Sequence, residues 1–362
     1  MIDLRSDLCT SPTAEMWEAM RSAELGWATF GEDTTVNELC ARVAELLGKA
    51  AALWVPTCGM ANLVALLTFC ERGDAVVLES ASHVLTSEAL GISELAGLDP
   101  VSLWESDGRM DPREVDELVA DMRAPLLVLE NTHTRAGGTV LSVEHTEALA
   151  GAAKRHDCRV HLDGARLVNA AVALDVPLAA LAAPANSIAF SLNKGIGAPM
   201  GAVLAGSEAV VGRARLMLQR VGGASVHRSG IAAAAALVAL DGWEERVAGD
   251  NRRARELADR LAAVEGLVLD PETVETNIVL VDVIGTGLVP EELVPLLAEA
   301  GVRVLERDTA RIRLVTHREV GDAEVEEAAR IMADVVERHT VPPVVLPEID
   351  DSWETELESP ES

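Results

Sequence analysis

Tyrosine is absent from this chain of 362 residues, and phenylalanine occurs only 3 times. Without a phenol, proton transfer falls to histidine, carboxylates, lysine or water. The 5 cysteines show no CxxC pairing, which argues against a disulfide framework or a structural zinc site. No metal centre is expected. No apolar run is long enough to span a bilayer, so no membrane partner is expected. Positive charge is scarce: the net charge is −29 and the pI about 4.6. Such a surface would repel phosphate backbones, which excludes nucleic acid as a partner. The first six residues, Met1-Ile2-Asp3-Leu4-Arg5-Ser6, lack the basic, apolar and small-residue regions of a signal peptide. A cytoplasmic protein is expected.

What is present is an alternation. Short apolar runs, Ala52–Val55, Ala75–Leu78, Pro125–Leu129, Arg159–Leu162 and Ser187–Phe190, are separated by helical patterns such as Ala61–Cys70 and Val143–His156. Strands apolar on both faces between helices imply an α/β fold with a mostly parallel sheet. From about 230 to 265 the pattern is helical and Ala-rich. Strand candidates follow at Asn277–Val281 and Arg311–Val315, then a last helix from about Asp322 to Arg338. The expected division is an N-terminal segment at the active site (1–12), a large α/β unit (13–240), a smaller α+β unit (241–340) and an acidic, disordered tail (341–362).

Lysine is as scarce as phenylalanine, at positions 49, 154 and 194. Lys194 follows the apolar run Ser187–Phe190 and precedes Gly195, Gly197 and Pro199, so it stands at a strand end on a backbone that turns. An amine can form a Schiff base with a carbonyl, which a guanidinium cannot. The plain alternative is a surface loop lysine. In parallel sheets ligands bind at the carboxyl ends of strands. Asp163 and Arg166 follow another such strand. An aspartate there could pair with a pyridinium nitrogen, as pyridoxal phosphate requires, or simply cap a helix. Thr57-Cys58-Gly59-Met60, between a strand and an apolar helix, suits a phosphate or an ordinary turn. His83 could stack on a flat ring or move a proton; His133 carries the same reading, and His161 reads as a core histidine.

These segments resemble the low-specificity L-threonine aldolases, in the aspartate-aminotransferase-like (fold type I) group of pyridoxal-phosphate enzymes. The resemblance runs from residue 1 to about 338. It is carried by Met1–Asp7, Phe30–Asn37, Leu129–His133, His161–Leu167, Lys194–Pro199 and Arg313–His317. It implies retro-aldol cleavage of threonine, allo-threonine or a related β-hydroxy-α-amino acid to glycine and an aldehyde. It assigns Lys194 to the Schiff base, Asp163 to the ring nitrogen and His83 to the ring face. The amides of Cys58, Gly59 and Met60 would hold the phosphate. Ser6, Arg166 and Arg313 would bind the substrate carboxylate, with Arg166 also beside the cofactor. His133 would lie near the substrate hydroxyl. A homodimer or homotetramer is expected, with His227 or Arg228 near the phosphate, an arginine there often coming from the neighbouring subunit.

The chain departs from the family pattern around the active site. Cys58 stands where the phosphate turn usually carries glycine, and Gly59 where a hydroxyl is usual. Phe30 replaces a usual tyrosine, and Leu85-Thr86-Ser87 lacks the usual aromatics. The loop Gly222–Arg228 is one residue longer than usual. A pyridoxal-phosphate β-eliminating lyase, or another specialised amino-acid enzyme on the same scaffold, is the nearest alternative, and a non-catalytic binding protein the more distant one.

Overall fold

The structure, a computed structural model, describes residues 1–339. The tail expected at 341–362 lies outside the described residues.

The chain opens with β1 (Ile2–Asp3). A sheet of 7 strands then forms from β2 (Ala51–Val55), β3 (Ala75–Glu79), β4 (Asp99–Leu103), β5 (Leu126–Glu130), β6 (Arg159–Gly164), β7 (Ser187–Ser191) and β8 (Ala202–Gly206). Its order is β2-β8-β7-β6-β5-β3-β4. The pairs from β7 to β4 are parallel, while β8 runs antiparallel to both β7 and β2. Helices cover the sheet, and β5 and β7 are buried along their whole length. Burial on both faces is why these strands read as continuous apolar runs instead of alternating ones.

Two strands of this sheet escaped the sequence pattern. β4 lies at the sheet edge, is mostly part-exposed and opens on Asp99-Pro100. β8 is buried but reads Ala-Val-Leu-Ala-Gly, in which alanine and glycine have poor strand propensity. The helical stretch expected from about 230 to 265 is two helices, Gly230–Ala239 and Trp243–Leu261. They break at Gly242, whose φ of 62° is left-handed and easy only for glycine.

A smaller antiparallel sheet joins β11 (Leu305–Glu306), β12 (Arg311–Val315) and β9 (Ile278–Asp282), while β1 pairs in parallel with β10 (Val302–Arg303). The core beneath the large sheet reaches Val247; a separate one gathers Leu4 with residues from Ala254 onward. The Trp243–Leu261 helix therefore packs its first half on one core and its second half on the other. Asp7, in the segment after β1, is pinned to Arg166 just beyond the carboxyl end of β6.

Candidate active site

The carboxyl ends of β3, β5, β6 and β7 present Glu79, Glu130, Asp163 and, just beyond Ser191, Lys194. Asp163 is 1% exposed. Its Oδ2 accepts from Nδ2 of Asn62 at 2.9 Å, and its Oδ1 accepts from the Ala165 amide at 3.1 Å and from the Cys58 thiol at 3.8 Å. Asn62 is held in turn. Its Oδ1 lies 3.0 Å from Nε2 of His161, and Nδ1 of His161 lies 2.7 Å from the Ser187 hydroxyl. Because the Asn62 amide spends its protons on two carboxyl groups, its oxygen must accept, so His161 carries a proton on Nε2. Burial pushes the His161 pKa down to about 4, which leaves the ring neutral. The reading of His161 as a satisfied core histidine agrees with this geometry.

Lys194 is half-buried and makes no hydrogen bond or ion pair with another described residue. Its ammonium is near enough to weigh on Asp7, Cys58, His83 and Glu88. The turn after it needs glycine: a Cβ at Gly195 would stand 2.8 Å from Val168 and 2.9 Å from Asn169.

His83 begins the short helix His83–Thr86, and its amide donates to Oε2 of Glu130 at 2.7 Å. The imidazole stays about one-third exposed, and burial lowers its pKa against the opposing pull of Asp163 and Glu130. Neither ring nitrogen makes a hydrogen bond with a described residue, and Nε2 lies 3.9 Å from Oε1 of Glu88. His133 is placed differently. Nε2 lies 2.8 Å from Oε2 of Glu79, and Nδ1 accepts from the Ala136 amide at 3.2 Å. Both nitrogens are engaged, so His133 offers no free base to the cleft.

The helix Cys58–Phe69 is capped by Thr57, whose hydroxyl accepts from the Met60 amide at 3.1 Å. The Met60 amide is therefore spent on the cap. The Cys58 and Gly59 amides remain unpaired at the helix start. Burial, and then Asp163, push the Cys58 thiol well up, so it stays protonated and donates.

The expected carboxylate clamp divides. Arg166 is 3% exposed, with Nε and Nη2 each 2.8 Å from the Asp7 carboxylate and Nη1 donating to Thr134 at 3.1 Å. Three of its five N–H groups are thus taken. Among the described residues Arg313 has no carboxylate partner; Nη2 donates to the Arg5 carbonyl at 3.2 Å, and its buried Nε has no partner there. Burial, and then the Arg166 charge, lower its pKa. Ser6 caps the next turn through Leu8 and leans on Asp7 at 3.3 Å. Arg228 is exposed, and donates to the Gly26 carbonyl at 2.9 Å; His227 lies 3.2 Å from the Trp27 indole nitrogen.

These donors fit pyridoxal phosphate. There is an unpaired amine at Lys194, a firmly held carboxylate at Asp163, unpaired amides at Cys58 and Gly59, and an orphaned guanidinium nitrogen at Arg313. Sequence reasoning gave no role to Asp7, Asn62, Glu79, Glu88 or Glu130. Asn62 left one trace, as a polar residue inside the apolar helix Cys58–Phe69.

A family model described as beta-eliminating lyase matches residues 3–284. Low-specificity L-threonine aldolase 1 of Arabidopsis thaliana is 37% identical over 334 residues, covering 90% of this chain and 93% of that protein. The low specificity L-threonine aldolase of Escherichia coli (strain K12) is 35% identical over 337 residues, covering 91% and 97%. A solved threonine aldolase of Leishmania major superposes with a TM-score of 0.77 at 20% identity, covering 94% of this chain and 100% of that one, and shares its fold. The chain belongs to the beta-eliminating lyase family, in the group of its low-specificity L-threonine aldolase relatives.

Proposed function

We infer that the protein is a pyridoxal-phosphate-dependent aldehyde-lyase that splits β-hydroxy-α-amino acids, threonine among them, into glycine and an aldehyde. The observation that carries this reading is the juxtaposition of the unpaired Lys194 amine with Asp163, which three donors hold at the neighbouring strand end. Bound pyridoxal phosphate supplies an electron sink for negative charge at Cα of an amino acid.

The residues of this chain do the rest. Lys194 provides the amine that holds the cofactor covalently. Asp163, its carboxylate fixed by three donors, would pair with the pyridine nitrogen. The Cys58 and Gly59 amides take the phosphate at a helix start. Arg313 takes the substrate carboxylate, which gives its orphaned Nε a partner and fixes which bond at Cα is aligned for cleavage. His83, kept neutral by burial, accepts the β-hydroxyl proton directly or through water. Glu130 sets that imidazole by holding the His83 amide.

We take residues 13–240 as the large unit and the chain from 241 as the small one, with the segment 1–12 contributing to the active site. A homo-oligomer is favoured by the exposed apolar pair Trp27 and Phe30, whose rings meet edge to face beside His227. We place the protein in the cytoplasm.

The test is a visible absorption spectrum with pyridoxal phosphate, before and after glycine, with product analysis from L-threonine. A yellow band missing from K194A, a spectral change with glycine, and acetaldehyde plus glycine as products are expected. Ammonia and a keto acid instead would move the protein to β-elimination. A colourless protein would overturn the reading.

A further inference from the structure

Glu88 has none of the roles above, yet it stands among them. Its side chain is 12% exposed, and its Oε1 accepts from Nδ2 of Asn62 at 2.8 Å. The other proton of that amide goes to Oδ2 of Asp163 at 2.9 Å. Two carboxyl groups thus share one amide, which cannot turn away because its oxygen is held by His161. Two such groups, little exposed, do not both ionise easily.

The two groups differ in their donors. Asp163 accepts from Asn62, the Ala165 amide and the Cys58 thiol. Glu88 has the Asn62 amide alone, with Nε2 of His83 at 3.9 Å. The charges facing Glu88 are Asp163 on β6, Glu130 on β5 and, opposing them, Lys194 beyond β7. Burial first, and then Asp163, push its pKa up to about 8. The proton therefore rests on Glu88 at neutral pH.

Its place gives that proton a use. A Cβ on Gly59 would lie 3.3 Å from Oε1 of Glu88, so this carboxyl leans on the start of the Cys58–Phe69 helix. A carboxylate there would repel a phosphate dianion at the Cys58 and Gly59 amides, whereas a neutral acid would not.

We propose that Glu88, which shares the Asn62 amide with Asp163, acts as a neutral carboxylic acid whose proton licenses the binding of a phosphorylated ligand. The inference rests on the reading of the Cys58 and Gly59 amides as the phosphate site. Glu88 is a positioning residue in this scheme.

The probe is pyridoxine 5′-phosphate, which lacks the aldehyde and so cannot bond to Lys194. Its affinity for the full chain is measured by calorimetry from pH 7 to 9.5, in wild type, E88Q and E88M. Ionisation of the ligand is common to all three proteins and cancels in the comparison. Wild type should lose about tenfold in affinity per pH unit above about 8, beyond any change in the variants. Either folded variant is sufficient for the comparison. Parallel pH curves in wild type and variants would overturn this inference and leave the phosphate site standing. Absence of binding by all three at every pH would overturn both.

Discussion

Asp7 and Arg166, 159 residues apart, form a buried two-pronged ion pair, with both nitrogen–oxygen distances 2.8 Å. The pair ties the N-terminal segment to the end of β6, beside Lys194. Burial works against the Asp7 carboxylate, but the Arg166 guanidinium outweighs it and holds the pKa below its usual 3.8. The stabilisation is therefore full above pH about 4 and is lost as the pH falls below it. D7A leaves Arg166 buried without a counter-ion and should cost about 3–5 kcal/mol, read as a lower urea midpoint. A D7L/R166M double variant should recover most of that loss. An unchanged midpoint in D7A would show that water replaces the carboxylate.

Arg313 makes the opposite case, a charge the fold leaves unmatched. R313Q should not lower the melting temperature, since it removes a half-buried cation whose Nε has no partner. Its kcat/KM for L-threonine should fall about 10–100-fold, the worth of a charge-assisted contact of about 1.5–3 kcal/mol. R313K, which keeps the charge without the fork, should recover part of it. Wild-type kinetics in R313Q would remove Arg313 from substrate binding.

Much of the fold was legible because parallel strands buried on both faces write themselves as apolar runs, and ionisable residues just beyond such runs stand at strand ends. Lys194, Asp163 and His83 could be located on that ground. Their surroundings could not, because they are set by partners far away in the sequence. Glu88 meets Asn62 across 26 residues, and Asn62 meets Asp163 across 101. The engagement of Arg166 by Asp7 and of His133 by Glu79 is likewise invisible in local pattern. So was β8, whose alanines and glycine are buried by position rather than by propensity.

His161 should make the fold acid-sensitive well above the carboxylate range. Burial lowers its pKa to about 4, against 6.5 when free. The folded state favours the neutral ring, so this stability is full above pH about 6.5 and is lost as pH falls toward 4. About 3 kcal/mol is at stake. Urea midpoints at pH 7.5 and 4.5 should fall further in wild type than in H161Q, which cannot charge. Equal falls would place the acid sensitivity elsewhere.

Asp250 should act with the opposite sign. It is 3% exposed, and burial raises its pKa to about 7, although Arg253 stands 3.5 Å away. Distance alone would suggest an ion pair. Yet Oδ1 of Asp250 has no hydrogen-bond partner, and Arg253 spends its Nε on Asp322 at 2.8 Å. The folded state therefore holds a proton that the unfolded chain releases, and stability falls as pH rises from about 4 to about 7. D250N removes that cost. It should match wild type near pH 4 and exceed it at pH 8 by about 2–4 kcal/mol, measured by urea denaturation. A D250N protein weaker than wild type at pH 8 would mean that the attraction of Arg253 exceeds the cost of burying the charge.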